Sequence, residues 1–158
     1  MKSFKSTAWI LPQPVLIIGT YDKNGKPDAM NAAWGGQWDM HEIIISLGSH
    51  QTTDNLAENP EFTVTFATAD NMIASDYVGI VSGRNTPDKM EKTGWTVEKA
   101  LNVNAPVFKE FPMTLECRDL SGYSKQTKPS VIAGVREYSI KSIRSFRPTA
   151  ASISFTEN

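Results

Sequence analysis

Read as a pattern of apolar and polar positions, the chain is a succession of short β-type runs broken by polar turns. Residues 15–21, with Ile17 and Ile18 at the centre, are rich in β-favouring side chains and predict a well-buried strand. Asp22-Lys23-Asn24-Gly25 follows, and Asn-Gly predicts a chain reversal because both residues tolerate positive φ. The return strand falls at about 27–34, with Ala29, Asn31 and Ala33 on one face and Met30, Ala32 and Trp34 on the other. Its small side chains leave room against the sheet for either a packed helix or a ligand. Gly35-Gly36 predicts a bend, 42–47 a third strand and 61–68 a fourth, where Phe62, Val64 and Phe66 alternate with Thr63, Thr65 and Ala67.

Helical signals are fewer and shorter. Thr52 or Thr53 is placed as the N-cap of a helix running to about Asn59, its hydroxyl taking up backbone N–H groups that lack partners. The free amides of such a helix start also suit a phosphate. Met72, Ile73, Tyr77, Ile80 and Val81 recur at helical spacing and predict an amphipathic helix over 70–81. Thr86-Pro87-Asp88 predicts a cap with proline at the first helical position, opening a short helix that Gly94 stops. Residues 95–112 read as a long loop, 113–118 as a strand, and 131–140 and 143–155 as two further strands, the last broken at Pro148.

The length of 158 residues points to one domain, 1–158, with a core of ordinary size. A net charge of −1 gives no general case for nucleic acid or an anionic membrane surface. The charge is uneven, however. Residues 1–117 carry 9 Lys or Arg against 14 Asp or Glu, a net −5, whereas 118–158 carry 7 against 3, a net +4. Cys117 is the single cysteine, so no intramolecular disulfide and no cysteine-based metal cluster is expected. It lies in an alternating strand and reads as buried and inert. No run approaches the roughly 20 apolar residues that span a bilayer, and the expectation is a cytoplasmic protein.

Chemistry concentrates between Asn31 and Asn55, which holds both histidines and two of the four tryptophans. His41 and His50 do not stand in metal-ligand spacing, so no metal site is expected. Ser46 and Ser49 lack a nucleophile-elbow context, and no glycine-rich phosphate fingerprint occurs, so no catalytic residue is assigned. Trp34 and Trp38 are open to two readings, stacking on a planar ligand or packing in core or interface. What remains is a β-rich domain with small residues on one strand, a polar strand end and a hydroxyl-rich helix start. Such a surface could hold a phosphorylated aromatic cofactor.

The ordered motifs P-V-L-I-I-G-T-Y-D (14–22), N-A-A-W-G (31–35), I-S-L-G-S-H-Q-T-T-D-N-L (45–56), E-F-T-V (61–64), D-Y-V-G-I-V-S-G (76–83), P-D-K-M-E-K-T-G (87–94) and N-A-P (104–106) resemble the flavin reductase-like family of FMN-binding split β-barrel proteins. The resemblance implies a mainly β, antiparallel Greek-key split barrel of about six strands with a few short helices. It also implies a homodimer holding one FMN per subunit near the dimer interface. By motif, Asn31, Ala32, Ala33 and Trp34 would line the isoalloxazine ring, and Ser46 and Leu47 would contact the ring and ribityl chain. His50, Thr52 and Thr53 would face the phosphate, where many relatives carry a basic residue followed by a hydroxyl, and Lys89 would reach flavin or phosphate as a cation. Without the resemblance, Lys89 reads equally as a solvated helix lysine.

The implied activity is an oxidoreductase passing electrons from NADH or NADPH, as the nicotinamide nucleotide partner, through FMN to an unknown electron acceptor. The motifs thin out after Cys117, and residues 118–158 read as divergent from the family. Two alternatives therefore stand beside the enzyme: an FMN-binding electron carrier without a nicotinamide site, and a dimeric barrel that binds no flavin.

Overall fold

The computed structural model describes residues 12–119 with their side chains and the backbone of 130–140. The first strand, β1 (Leu16–Tyr21), and β2 (Pro27–Ala32) form the expected antiparallel hairpin, with Leu16 opposite Ala32 and Tyr21 opposite Pro27. Gly25 at the reversal has a φ of 77°, the left-handed region glycine enters without steric cost. Then come β3 (Gly35–Asp39), β4 (Glu42–Ser46), helix α1 (Gln51–Glu58) and β5 (Glu61–Phe66). A single 3-10 turn (Ala69–Asn71) leads into α2 (Met72–Ile80), which is followed by α3 (Lys89–Thr93). The described elements end with β6 (Val97–Lys99), β7 (Pro106–Phe108), β8 (Met113–Asp119) and β9 (Ser130–Ile140).

Seven strands make one antiparallel sheet in the order β2-β1-β5-β8-β9-β4-β3. Although β4 is five places from β2 in that order, Ile45 of β4 shares one buried cluster with Met30 and Ala32 of β2, Leu16 and Ile18 of β1, Phe62 and Val64 of β5, and Cys117 of β8. The sheet is therefore curled on itself, with these alternate side chains filling its inside. The residues between them face outwards into a second cluster. There Ile17 and Ala29 meet Val78 of α2 and Met90 of α3, and Trp95 packs on Phe108 and Phe111 with ring centroids 5.1 and 4.9 Å apart. The period-2 pattern of β1 and β2 thus feeds two cores from one pair of strands.

Several local expectations need correction. Gly35-Gly36 is not the bend; the chain turns at Ala33-Trp34, and the glycines open the edge strand β3, paired to Ile45 and Ile44. Residues 95–112 are not an unstructured loop, since β6 and β7 pair across them and Glu116, buried, accepts hydrogen bonds from the backbone N–H groups of Leu101 and Asn102. Neither Thr52 nor Thr53 caps α1. His50 holds that position, and Thr53, one turn in, accepts from the His50 N–H at 3.0 Å and donates to its carbonyl at 2.8 Å.

The amphipathic reading of α2 holds only for Tyr77, which packs against the outer cluster. Val78 and Ser75 are buried, while Met72, Ile73 and Ile80 are exposed. The physical reason is the stripe of small residues Ser75 and Gly79, four apart, which lets the helix lie close on β2. Asn31 donates from Nδ2 to the Ser75 carbonyl at 2.9 Å, and a methyl group at position 79 would collide with the Asn31 carboxamide. The strand expected at 143–155 lies outside the described residues.

Candidate functional site

Two segments that are separate in sequence meet beside the open ends of β2 and β4. The bend Ala33-Trp34 leaves the end of β2, and the Trp34 carbonyl accepts the Ser46 N–H at 2.7 Å, fixing the bend to the end of β4. From Ser46 the chain runs through Leu47, Gly48 and Ser49 into the start of α1. One short path along the surface therefore joins an exposed indole, Trp34, at 73% exposure, to the first turn of a helix.

The residues expected to form the site divide by burial. Ala33, Trp34, Ser46 and His50 are exposed, and Asn31 is half-buried under α2. Ala32 and Leu47 point into the barrel core. Thr52 is fully buried and donates to Asp28 Oδ2 at 3.2 Å, so its hydroxyl secures α1 to β2 from below. Lys89 is buried too. Its Nζ donates to the Ala29 carbonyl at 2.5 Å and lies 3.3 Å from Asp28 Oδ1. Burial holds the Lys89 ammonium below the usual lysine range, and the charge and hydrogen bond of Asp28 partly oppose that. His50, Thr52 and Lys89, distant in sequence, line one small cavity of about 90 Å³ together with Asp28, Ser82 and Gly83.

Sequence reasoning missed two contributors here. Asp28 bridges Thr52 and Lys89, and Arg84 spans the loop ahead of α1. Arg84 donates from Nε to Asp54 Oδ2 at 2.8 Å and from a terminal nitrogen to Ser49 Oγ at 3.3 Å and the His50 carbonyl at 3.2 Å. The signal available in sequence was only that a basic residue is expected near His50; that it comes from a loop 34 residues later is a tertiary fact.

The donor set at the start of α1 is chemically uniform. The N–H groups of Gln51 and Thr52, first in the helix, have no carbonyl one turn earlier, Ser49 adds a hydroxyl, and Arg84 adds a guanidinium, whereas the buried Thr53 hydroxyl is already spent on the His50 carbonyl. That is the chemistry of an anion site. Beside it, Ala33 and Trp34 offer a small, open shelf with one aromatic plane. A phosphate-bearing planar cofactor fits this pairing of features. A larger cavity, about 640 Å³, lies elsewhere, between Pro14, Met40, Phe66 and Met113. No group of three or more His, Cys, Asp or Glu that could hold a metal ion occurs among the described residues. No helix there is long and apolar enough to cross a membrane.

A curled antiparallel sheet with an exposed helix start at its rim is the class to which these features belong, and comparison with known proteins gives it a family. The sequence profile described as flavin reductase like domain matches residues 9–149, so the chain belongs to that family. The matched span continues past Cys117, where the quoted motifs thin out.

Among solved structures, flavoredoxin of Desulfovibrio vulgaris (Miyazaki F) superposes with a TM-score of 0.81 at 28% identity, over 89% of this chain and 76% of that one. Flavoredoxin from Methanosarcina acetivorans gives 0.77 at 24% identity, over 89% and 75%. An FMN-binding domain of a flavin reductases-like enzyme from Shewanella baltica OS155 gives 0.73 at 18%, over 80% and 68%. The fold is the split barrel of these proteins. Comparison with curated protein sequences returned no match.

Proposed function

We propose that the protein binds FMN on the rim formed by 31–34, 46–53 and Lys89, and passes electrons from NADH or NADPH through it to a second acceptor. The observation that carries this reading is the contiguity of an exposed indole and a helix start with unpaired amides, fixed by the Ser46 to Trp34 hydrogen bond in a member of the flavin reductase like family. Bound FMN would supply the redox chemistry; the protein supplies position and electrostatics. In this reading, Ala33 and Trp34 shelve the ring, Ser46 meets it from the neighbouring strand, and the first α1 amides with Ser49 receive the phosphate, while Thr53, its hydroxyl given to the His50 carbonyl, holds the helix start in shape. Ala32 and Leu47 stiffen the shelf from inside the barrel. Lys89, held on Ala29 and Asp28, lines the cavity it shares with His50. No side chain has to move a proton at the ring, in keeping with the lack of any assigned acid or base. The open side of the shelf suits completion by a second subunit in a homodimer.

Gel filtration after incubation with excess FMN tests the binding. The expected result is a yellow protein whose visible spectrum follows the protein peak, and a colourless peak overturns the reading. Anaerobic NADH or NADPH should then bleach the bound flavin. Retained FMN that neither nucleotide bleaches would replace the reductase by an electron carrier.

A further inference from the structure

The geometry points to Arg84 as the permanent cation that recognises the flavin 5′-phosphate and makes this protein prefer FMN to unphosphorylated riboflavin. The assignment rests on the flavin-binding reading above and adds a residue from a loop outside the expected phosphate motif. At the position where many relatives carry a basic residue, the chain has His50. A guanidinium is charged throughout and presents a planar fork of five donors. Arg84 brings such a fork to the same loop. It contacts Ser49, the His50 carbonyl and Asp54, three points around the first turn of α1, while its side chain stays 39% exposed. The group is thus held beside the anion-binding amides without being buried. Three contacts orient it, and a guanidinium has five N–H donors, more than those contacts use.

Holding Arg84 there has a second consequence. Asp54 lies in the first turn of α1 and takes the Arg84 guanidinium at 2.7 Å, so an incoming phosphate shares that cation with a carboxylate. Were Arg84 merely a latch that ties its loop to α1, Asp54 would be as necessary as Arg84 itself. As a phosphate ligand, Arg84 is necessary and Asp54 is a competitor. The two roles therefore give opposite signs for one substitution.

The test is a fluorescence titration of FMN and of riboflavin into the full-length protein and its Arg84→Gln, Arg84→Lys and Asp54→Asn variants, with far-UV circular dichroism of each. Loss of a charge-assisted hydrogen bond to the phosphate is expected to weaken FMN about tenfold in Arg84→Gln. Riboflavin affinity should stay within about twofold, because only the phosphate contact is lost. Arg84→Lys should fall between wild type and Arg84→Gln, and Asp54→Asn should bind FMN at least as tightly as wild type. Equal losses of FMN and riboflavin in Arg84→Gln, or a loss in Asp54→Asn matching that of Arg84→Gln, would overturn the assignment in favour of a latch. Unchanged FMN affinity in Arg84→Gln would overturn it outright. If the wild-type protein bound no FMN, the flavin reading itself would fall and the assignment with it, an outcome distinct from the others.

Discussion

Lys89 was expected to reach the flavin, and the structure places its ammonium in a buried ion pair, so replacing it separates two roles. Lys89→Met keeps an unbranched stem and deletes the charge. Asp28 would then be a buried carboxylate whose remaining side-chain partner is the Thr52 hydroxyl, and the Ala29 carbonyl would lose its donor. Removing one partner of a buried pair costs about 3–5 kcal/mol, because the other charge is left uncompensated. Against a total stability of about 5–15 kcal/mol for a domain, that is a large share. Asp28→Asn should cost a similar amount by stranding the ammonium. The double variant strands neither charge, so its loss should be no greater than that of the worse single variant, a coupling of at least about 1 kcal/mol.

Urea unfolding followed by far-UV circular dichroism on the four proteins measures this. Losses that simply add, or a loss below about 1 kcal/mol in Lys89→Met, would refute the strut. The pH dependence gives an independent sign. Burial lowers the Lys89 pKa from the ordinary value of 10.5, so between the lowered value and 10.5 the unfolded chain holds a proton the folded one has released. Stability rises with pH across that interval. Asp28→Asn removes the charge that opposes the lowering, so the rise should begin at a lower pH than in wild type. A profile that falls or stays flat there, relative to Lys89→Met, would count against it.

The remaining predictions are simpler. Trp34→Ala should weaken FMN by about 1 kcal/mol or more if the indole stacks on the ring, with far-UV dichroism unchanged because the side chain is exposed. An unchanged titration would remove Trp34 from the shelf. Cys117 is buried, and burial first, with Glu116 second, pushes its thiol up to about 12. The folded protein should therefore resist thiol reagents that label it fully in urea, and rapid native labelling would refute that burial. Its linkage runs opposite to that of Lys89: the folded state keeps a proton the unfolded state loses above the ordinary value of 9.0, so this contribution to stability drains away as pH climbs from there towards about 12.

The strands were legible because their signals are local. The β-rich run at β1, the two-faced patterns of β2 and β5, the apolar triplet of β4 and the Asn-Gly reversal placed four strands within a residue or two of their ends. What failed did so for tertiary reasons. Gly35 and Gly36 have strand conformation because β4 pairs with them, which no glycine propensity foretells. The β6–β7 hairpin is short and is held by Glu116 from another strand. In α2 Met72, Ile73 and Ile80 stay in solvent, because contact with β2 is set by the small residues Ser75 and Gly79. Thr63 and Thr65, which alternate with the apolar face of β5, are buried as well, Thr63 donating to the Pro106 carbonyl at 2.5 Å.

The site was legible as a set of positions but not as an electrostatic arrangement. His50, Thr52 and Lys89 do line one cavity, yet Thr52 and Lys89 spend their polar groups on Asp28, a residue with no sequence signal of its own. Both cations near the start of α1 are already paired, Lys89 with Asp28 below and Arg84 with Asp54 at the surface. Their distances from solvent make these pairs unequal. The buried pair is not screened, and opening it would strand charges, so it behaves as part of the scaffold. The surface pair is worth about 0–1 kcal/mol and exchanges partners readily. A phosphate arriving at the α1 amides would therefore draw on Arg84 while leaving Lys89 on Asp28. That difference is why phosphate discrimination should track Arg84 and Asp54, whereas folding stability should track Lys89 and Asp28.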